Sequence, residues 1–212
     1  MKLTGYFAGI GLSLLMVIHG CFDVKAQQTS TTTQQLVSLP EGKVTIQQID
    51  SIFSLFNTFD YIRSGNTKEE VIDWLILYSG KLDYPTGIAR GKNLKGVLLR
   101  DRSRYNEAIK MHQDALGLAG NDTTIMIYSL NNLGVAYRRL DKPRIALDYH
   151  LKALNLSEQF KGNLLVAKRS TCVALNSIGN INLTLDQPDK ALEMFKRSLE
   201  LEKNLFNDLG IA

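Results

Sequence analysis

Large apolar residues recur along most of the chain at three- and four-residue steps, with polar residues between them. Ile46, Ile49, Ile52, Phe53, Phe56 and Phe59 form one such stripe, the period of a helix with one buried face. Thr67-Lys68-Glu69-Glu70 has the form of a capping box ahead of Val71 and Trp74, so a second helix is predicted to start there with Trp74 in its core. Few runs alternate as a half-buried strand does, and only four prolines interrupt the helical periods.

From residue 86 onward the smallest residues take fixed places among the large ones. Gly96 is followed by Ala108 after twelve residues and by Ala115 after seven more. Gly134, Ala146 and Ala153 repeat both spacings, and so do Gly179, Ala191 and Ser198. Large residues keep the same register: Ile109, Leu147 and Leu192 follow the middle Ala, and Leu116, Leu154 and Leu199 follow the last small residue. Two antiparallel helices approach to about 8–10 Å only where the crossing side chains are small. Gly on the first helix and Ala on the second meet that need. One such pair cannot cover its own apolar face, so pairs must stack. Asp141-Lys142-Pro143 and Asp186-Gln187-Pro188 fit the starts of second helices, with Asp as N-cap and Pro in the first turn.

These positions resemble the tetratricopeptide repeat. The middle unit carries Leu133-Gly134, Tyr137, Ala146 and Ala153, with His150 where the family has an aromatic residue. The third carries Ile178-Gly179, Ala191, Phe195 and Ser198, with Asn182 in place of Tyr. The first keeps Gly96, Ala108 and Ala115, with Lys95, Leu99 and His112 as departures. The resemblance implies an all-α fold, a right-handed α-solenoid of antiparallel helix pairs, with three clear repeats and one degenerate N-terminal pair. Its expected divisions are 44–85 for the degenerate pair, then 86–122, 123–162 and 163–207 for the repeats. Unit spacings of 38 and 45 residues exceed the usual length of about 34 and resemble longer-helix variants in bacterial signalling proteins. The surplus is expected in the second helix of the middle unit and in the turn at Lys161-Gly162-Asn163. Gly210-Ile211-Ala212 repeats Gly87-Ile88-Ala89, so residues 208–212 read as the start of a further repeat.

The first 26 residues differ from the rest. Lys2 precedes an apolar run from Tyr6 to Ile18 that is short for a membrane span and reads as an export signal. Cleavage after Ala26 competes with lipidation of Cys21 in a poor lipobox, and with a retained anchor. Residues 27–43 form a polar leader rich in Thr and Gln. The expected location is the periplasm or cell envelope, with membrane attachment only through Cys21 or an uncleaved signal.

Composition adds little to this. The net charge of +4 falls to +3 without residues 1–26, which asks for no nucleic acid. Arg90, Lys92, Lys95, Arg100, Arg102 and Arg104 cluster locally and read as a solvated face. Cys172 would be alone in the mature chain and reads as a small packing residue. His112 and His150 share one repeat position, so packing explains them better than metal binding. No metal-ligand spacing, phosphate loop or catalytic set occurs, so neither an enzyme nor a cofactor is expected.

What remains is a surface. In the family, first helices line a groove that holds peptides. The matching positions are read as Asn93, Asn131 and Asn176, with Arg100 and Arg138 seven residues beyond the first two and Asn180 one turn beyond the third. Asn offers a donor and an acceptor to a peptide backbone, and Arg can hold a carboxylate by two bonds. The expected function is an exported scaffold that binds a protein or peptide segment. The alternative is the periplasmic sensing part of a signal-transduction protein, such as a histidine kinase or transcription regulator.

Overall fold

The computed structural model describes residues 39–40, 42–57 and 66–208, with side chains through Leu205. The export signal with Cys21, most of the polar leader, and residues 209–212 lie outside the described residues. Every helix below belongs to one compact unit, which starts at Pro40. Among the described residues there are eight helices and no strand. They are α1 (Ile46–Leu55), α2 (Lys68–Lys81), α3 (Pro85–Asp101), α4 (Tyr105–Leu118), α5 (Thr123–Arg139), α6 (Pro143–Gln159), α7 (Leu164–Thr184) and α8 (Pro188–Asp208). None of these is long and apolar enough to cross a membrane.

Each helix packs on the next in sequence, and α3, α5 and α7 also touch in series. Short turns make neighbours antiparallel, so the architecture is a stack of helix pairs, an α-solenoid with its first helices on the inner face. Ile49 and Ile52 of α1 and Val71, Ile72 and Leu75 of α2 are fully or almost fully buried core residues, and the two helices pack on each other. Each such aliphatic side chain contributes about 1.5–3 kcal/mol by leaving water. Trp74 differs from expectation. It is half-buried and stacks on Tyr78 at 4.5 Å between centroids, at the edge of that core.

The small residues sit at the crossings. A Cβ added to Gly96 would stand 2.5 Å from the His112 ring on α4. At Gly134 it would stand 2.5 Å from His150 on α6, and at Gly179 2.6 Å from Phe195 on α8. Ala108, Ala115, Ala146 and Ala153 are fully buried, and Ala191 and Ser198 are 1% exposed.

Local chemistry sets the helix ends, though not always as the sequence suggests. Thr67 caps α2 through a reciprocal box with Glu70, and Thr45 caps α1 through one with Gln48. Asp122 and Asn163 cap α5 and α7 by accepting from the third helical N–H. Asp141 and Asp186 are not N-caps. Both are left-handed, at φ 54° and 56°, and they close the preceding helix. The next residue's N–H turns back five positions, from Lys142 to Tyr137 O at 3.0 Å and from Gln187 to Asn182 O at 2.8 Å. Ser103 and Asp83 make the same turn. It is the glycine-type C-terminal motif, built here on short polar residues that tolerate positive φ.

The long spacing between the second and third units comes in part from where it was expected, the second helix of the middle unit, and not from the turn. The turns 119–122 and 160–163 have equal lengths. Helix α6 exceeds α4 by three residues, and α7 carries one extra turn of four ahead of Gly179 compared with α5 ahead of Gly134.

Candidate functional site: the inner cleft

Glycine fixes which way each first helix faces. Gly96, Gly134 and Gly179 point at their partner helices, and a residue three before them shares that face. Asn93 and Asn131 therefore turn inward. Asn93 is 9% exposed and Asn131 5%. The His112 Nδ1 lies 2.9 Å from Asn93 Oδ1, and Asn93 Nδ2 donates to Ser129 Oγ of α5 at 2.9 Å. The His150 Nδ1 lies 3.1 Å from Asn131 Oδ1, and Asn131 Nδ2 donates to Ser170 O of α7 at 3.4 Å. Each relay ties three helices together. Both amides are hydrogen-bonded within the stack, and Asn93 also borders the inner cleft.

With Nδ2 donating, each Asn Oδ1 is the acceptor, so each His Nδ1 carries its proton and Nε2 is bare. The two Nε2 atoms are buried and unpartnered. Burial first, then the nearby charge of Arg100 or Arg138, holds each imidazole down to about 4 from the usual 6.5. Both rings stay neutral at physiological pH.

The other site residues lie apart from these. In the third repeat Phe195 takes the histidine position and offers no donor, so Asn176 donates to Glu202 at 3.3 Å instead. Asn180 is exposed on the inner face, where its amide donates to Asn176 O at 2.9 Å. Arg100 is held by Asp101 at 2.9 Å. Arg138 is exposed at the end of α5.

The inner face is carried by residues six and two before each glycine and one after it: Arg90, Leu94 and Val97 on α3, Tyr128, Asn132 and Val135 on α5, and Val173, Ser177 and Asn180 on α7. Tyr128 is 45% exposed and Val173 49%. Between α1, α3 and α5 this face sinks into a cleft of about 740 Å³, walled by Phe53, Leu94, Val97, Tyr128 and Asn132. Arg90 stands at one side. It donates to Asp50 of α1 at 2.6 Å and lies 4.0 Å over the Phe53 ring. Tyr84 donates to the same Asp50 at 3.0 Å, and burial, then that carboxylate, pushes its phenol upward. The Asp50–Arg90 pair spans 40 residues, so no local pattern signals it.

The basic cluster is likewise spent on acids. Lys92 pairs with Asp114, Lys95 with Glu69 and Asp73, Arg102 with Glu69, and Arg104 with Glu107. Lys95 first, then Arg102, draws the Glu69 carboxyl down to about 2. Cys172 is buried and free. Among the described residues no group of three or more His, Cys, Asp or Glu is placed to hold a metal.

Stacked helix pairs with an inner cleft define the class: an α-helical repeat module. The family models agree. Tetratricopeptide repeat models match residues 87–159 and 173–205, and the chain belongs to the tetratricopeptide repeat proteins. The search of curated proteins finds no match. The family supports a protein-interaction scaffold and is typically non-enzymatic.

Proposed function

We propose that this chain is an exported scaffold that holds a segment of another protein in the cleft between α1, α3 and α5. One observation carries the reading: Tyr128 stands 45% exposed on the inner face, at the wall of a cleft large enough for side chains. An aromatic ring left half in water at a cleft wall is the usual anchor of a polypeptide interface. Asn132 beside it offers a donor and an acceptor to a passing backbone. Arg90 is already neutralised by Asp50, so the cleft favours an apolar anchor over a carboxylate. The Lys2-led apolar run supports export, and fractionation of cells expressing the full chain tests it. The groove is tested by capture of partners from envelope extracts on immobilised protein. Tyr128→Ala with Asn132→Ala should lose what the native chain retains, at unchanged helicity. Equal capture by both would refute the cleft.

A further inference from the structure

The residues that lengthen the third unit's spacing fall into two short insertions, and both border one pocket. The three by which α6 outruns α4 are Ser157, Glu158 and Gln159, and the extra turn of α7 is Leu164–Ala167. Between these two ends and the second half of α8 lies a pocket of about 400 Å³, within the range of small-molecule sites. The buried members of its lining, Ser157, Ala167, Thr171 and Leu175, form its floor. Leu164, 63% exposed, and Leu201 wall it, and the Phe160 ring lies back against Gly162, where a side chain would collide with it. Arg197 of α8 donates to Glu158 of α6 at 2.7 Å and joins the two helices that flank the pocket.

The floor carries two hydroxyls. Ser157 Oγ lies 3.0 Å from Leu154 O and 2.9 Å from Thr171 Oγ1, and Thr171 Oγ1 lies 3.0 Å from Ala167 O. These three contacts take up both hydroxyl protons, while lone pairs remain on the oxygens. The floor therefore accepts hydrogen bonds and donates none. Charge does not select at the rim. Glu158 is neutralised by Arg197, and the other charged lining residues, Lys168 and Glu200, are of opposite sign. We propose that this pocket binds a small neutral molecule, mainly apolar, that carries one N–H or O–H donor. The apolar body lies along Leu164, Leu175 and Leu201, and the donor meets the Ser157–Thr171 pair. Helices α6, α7 and α8 build this pocket, while α1, α3 and α5 build the inner cleft, so its test does not depend on cleft binding.

Indole and N-methylindole share one apolar body and differ in the donor. Titrated into the full chain, indole should shift the resonances of Ala167, Thr171 and Leu201. N-methylindole should bind about tenfold more weakly, the loss of one buried hydrogen bond. Indoleacetate and tryptamine add a carboxylate or an ammonium to the same ring, and neither should bind tighter than indole. Ser157→Ala with Thr171→Val removes both hydroxyls at nearly constant volume, and replacing both partners together costs little stability. In that variant indole should fall to the affinity of N-methylindole, and N-methylindole should be unchanged. Equal affinity of the native chain for indole and N-methylindole would overturn the proposal, whether or not the variant folds. So would a charged probe that binds about tenfold tighter than indole, or millimolar indole that shifts nothing. Shifts centred on Leu94 and Tyr128 would assign the ligand to the inner cleft and overturn it as well.

Discussion

Mild acid should weaken this protein before its carboxylates titrate. His112 and His150 are fully buried and held down to about 4, against 6.5 for a free imidazole. The charged groups acting on them are Arg100 and Arg138, which oppose a second proton. Protonated Nε2 would be a donor facing Gly96 or Gly134 with nothing to accept it. The unfolded chain takes up these protons near pH 6.5 and the folded chain only near 4. Between those values the unfolded state binds more protons, so stability falls as pH falls through that window. At about 1.4 kcal/mol per unit of pKa, each histidine loses about 2 kcal/mol by pH 5. The pair loses about 4, a large part of the roughly 5–15 kcal/mol that holds a domain folded. Glu69, drawn down from 4.5 to about 2, loses its contribution only as the unfolded carboxyl protonates near 4.5, so it adds little above pH 5. The assay is urea unfolding at pH 7.5 and pH 5, on the native chain and on His112→Phe with His150→Phe. Phe is the residue the third pair already sets against its glycine. It leaves Asn131 Oδ1 without a donor, so the double variant starts lower and only its pH slope is compared. That slope should flatten. Equal midpoints for the native chain at both pH values would refute the reasoning, as would imidazole titration near 6.5 in the folded protein.

The glycines should separate by what surrounds them. Gly134→Ala drives a methyl to 2.5 Å from His150 and should cost about 1–3 kcal/mol by overpacking, whereas Gly117→Ala, with no atom within 4 Å inside α4, should gain about 0.5–1 kcal/mol of helix propensity. Denaturant midpoints measure both. Cys172 is buried, and desolvation first, then Glu202, raises its thiol. In a Cys21→Ser background, thiol-reactive dye should label it only at the rate of unfolding. Rapid labelling at neutral pH, without denaturant, would show that α7 opens locally.

The pairing of helices was legible because sterics write it into residue size. Only a small side chain permits the Gly134–His150 approach, so the twelve- and seven-residue spacings could not be met by composition alone. The direction of the asparagines was less open to view. Gly96 faces α4, and helix geometry then turns Asn93 to the same side, but an exposed amide and a buried one look alike until a partner is named. That partner is nineteen residues on. Where it is His112 or His150, the amide is drawn in and its far end reaches the next pair through Ser129 or Ser170. Where it is Phe195, Asn176 has no donor to meet and bonds Glu202 instead. The inner face follows from the same reference point. Once glycine is fixed toward its partner, positions two before and one after it must lie on the other flank, which brings Leu94, Val97 and Asn132 to the cleft. Arg90 falls on that stripe as well, yet its state does not. Asp50 reaches it from a helix 40 residues away, and the helical period of α1 marks only the buried side, Ile49 and Ile52. A repeat therefore discloses its own packing through size, while the charge of its groove depends on a contact between units that no single unit encodes.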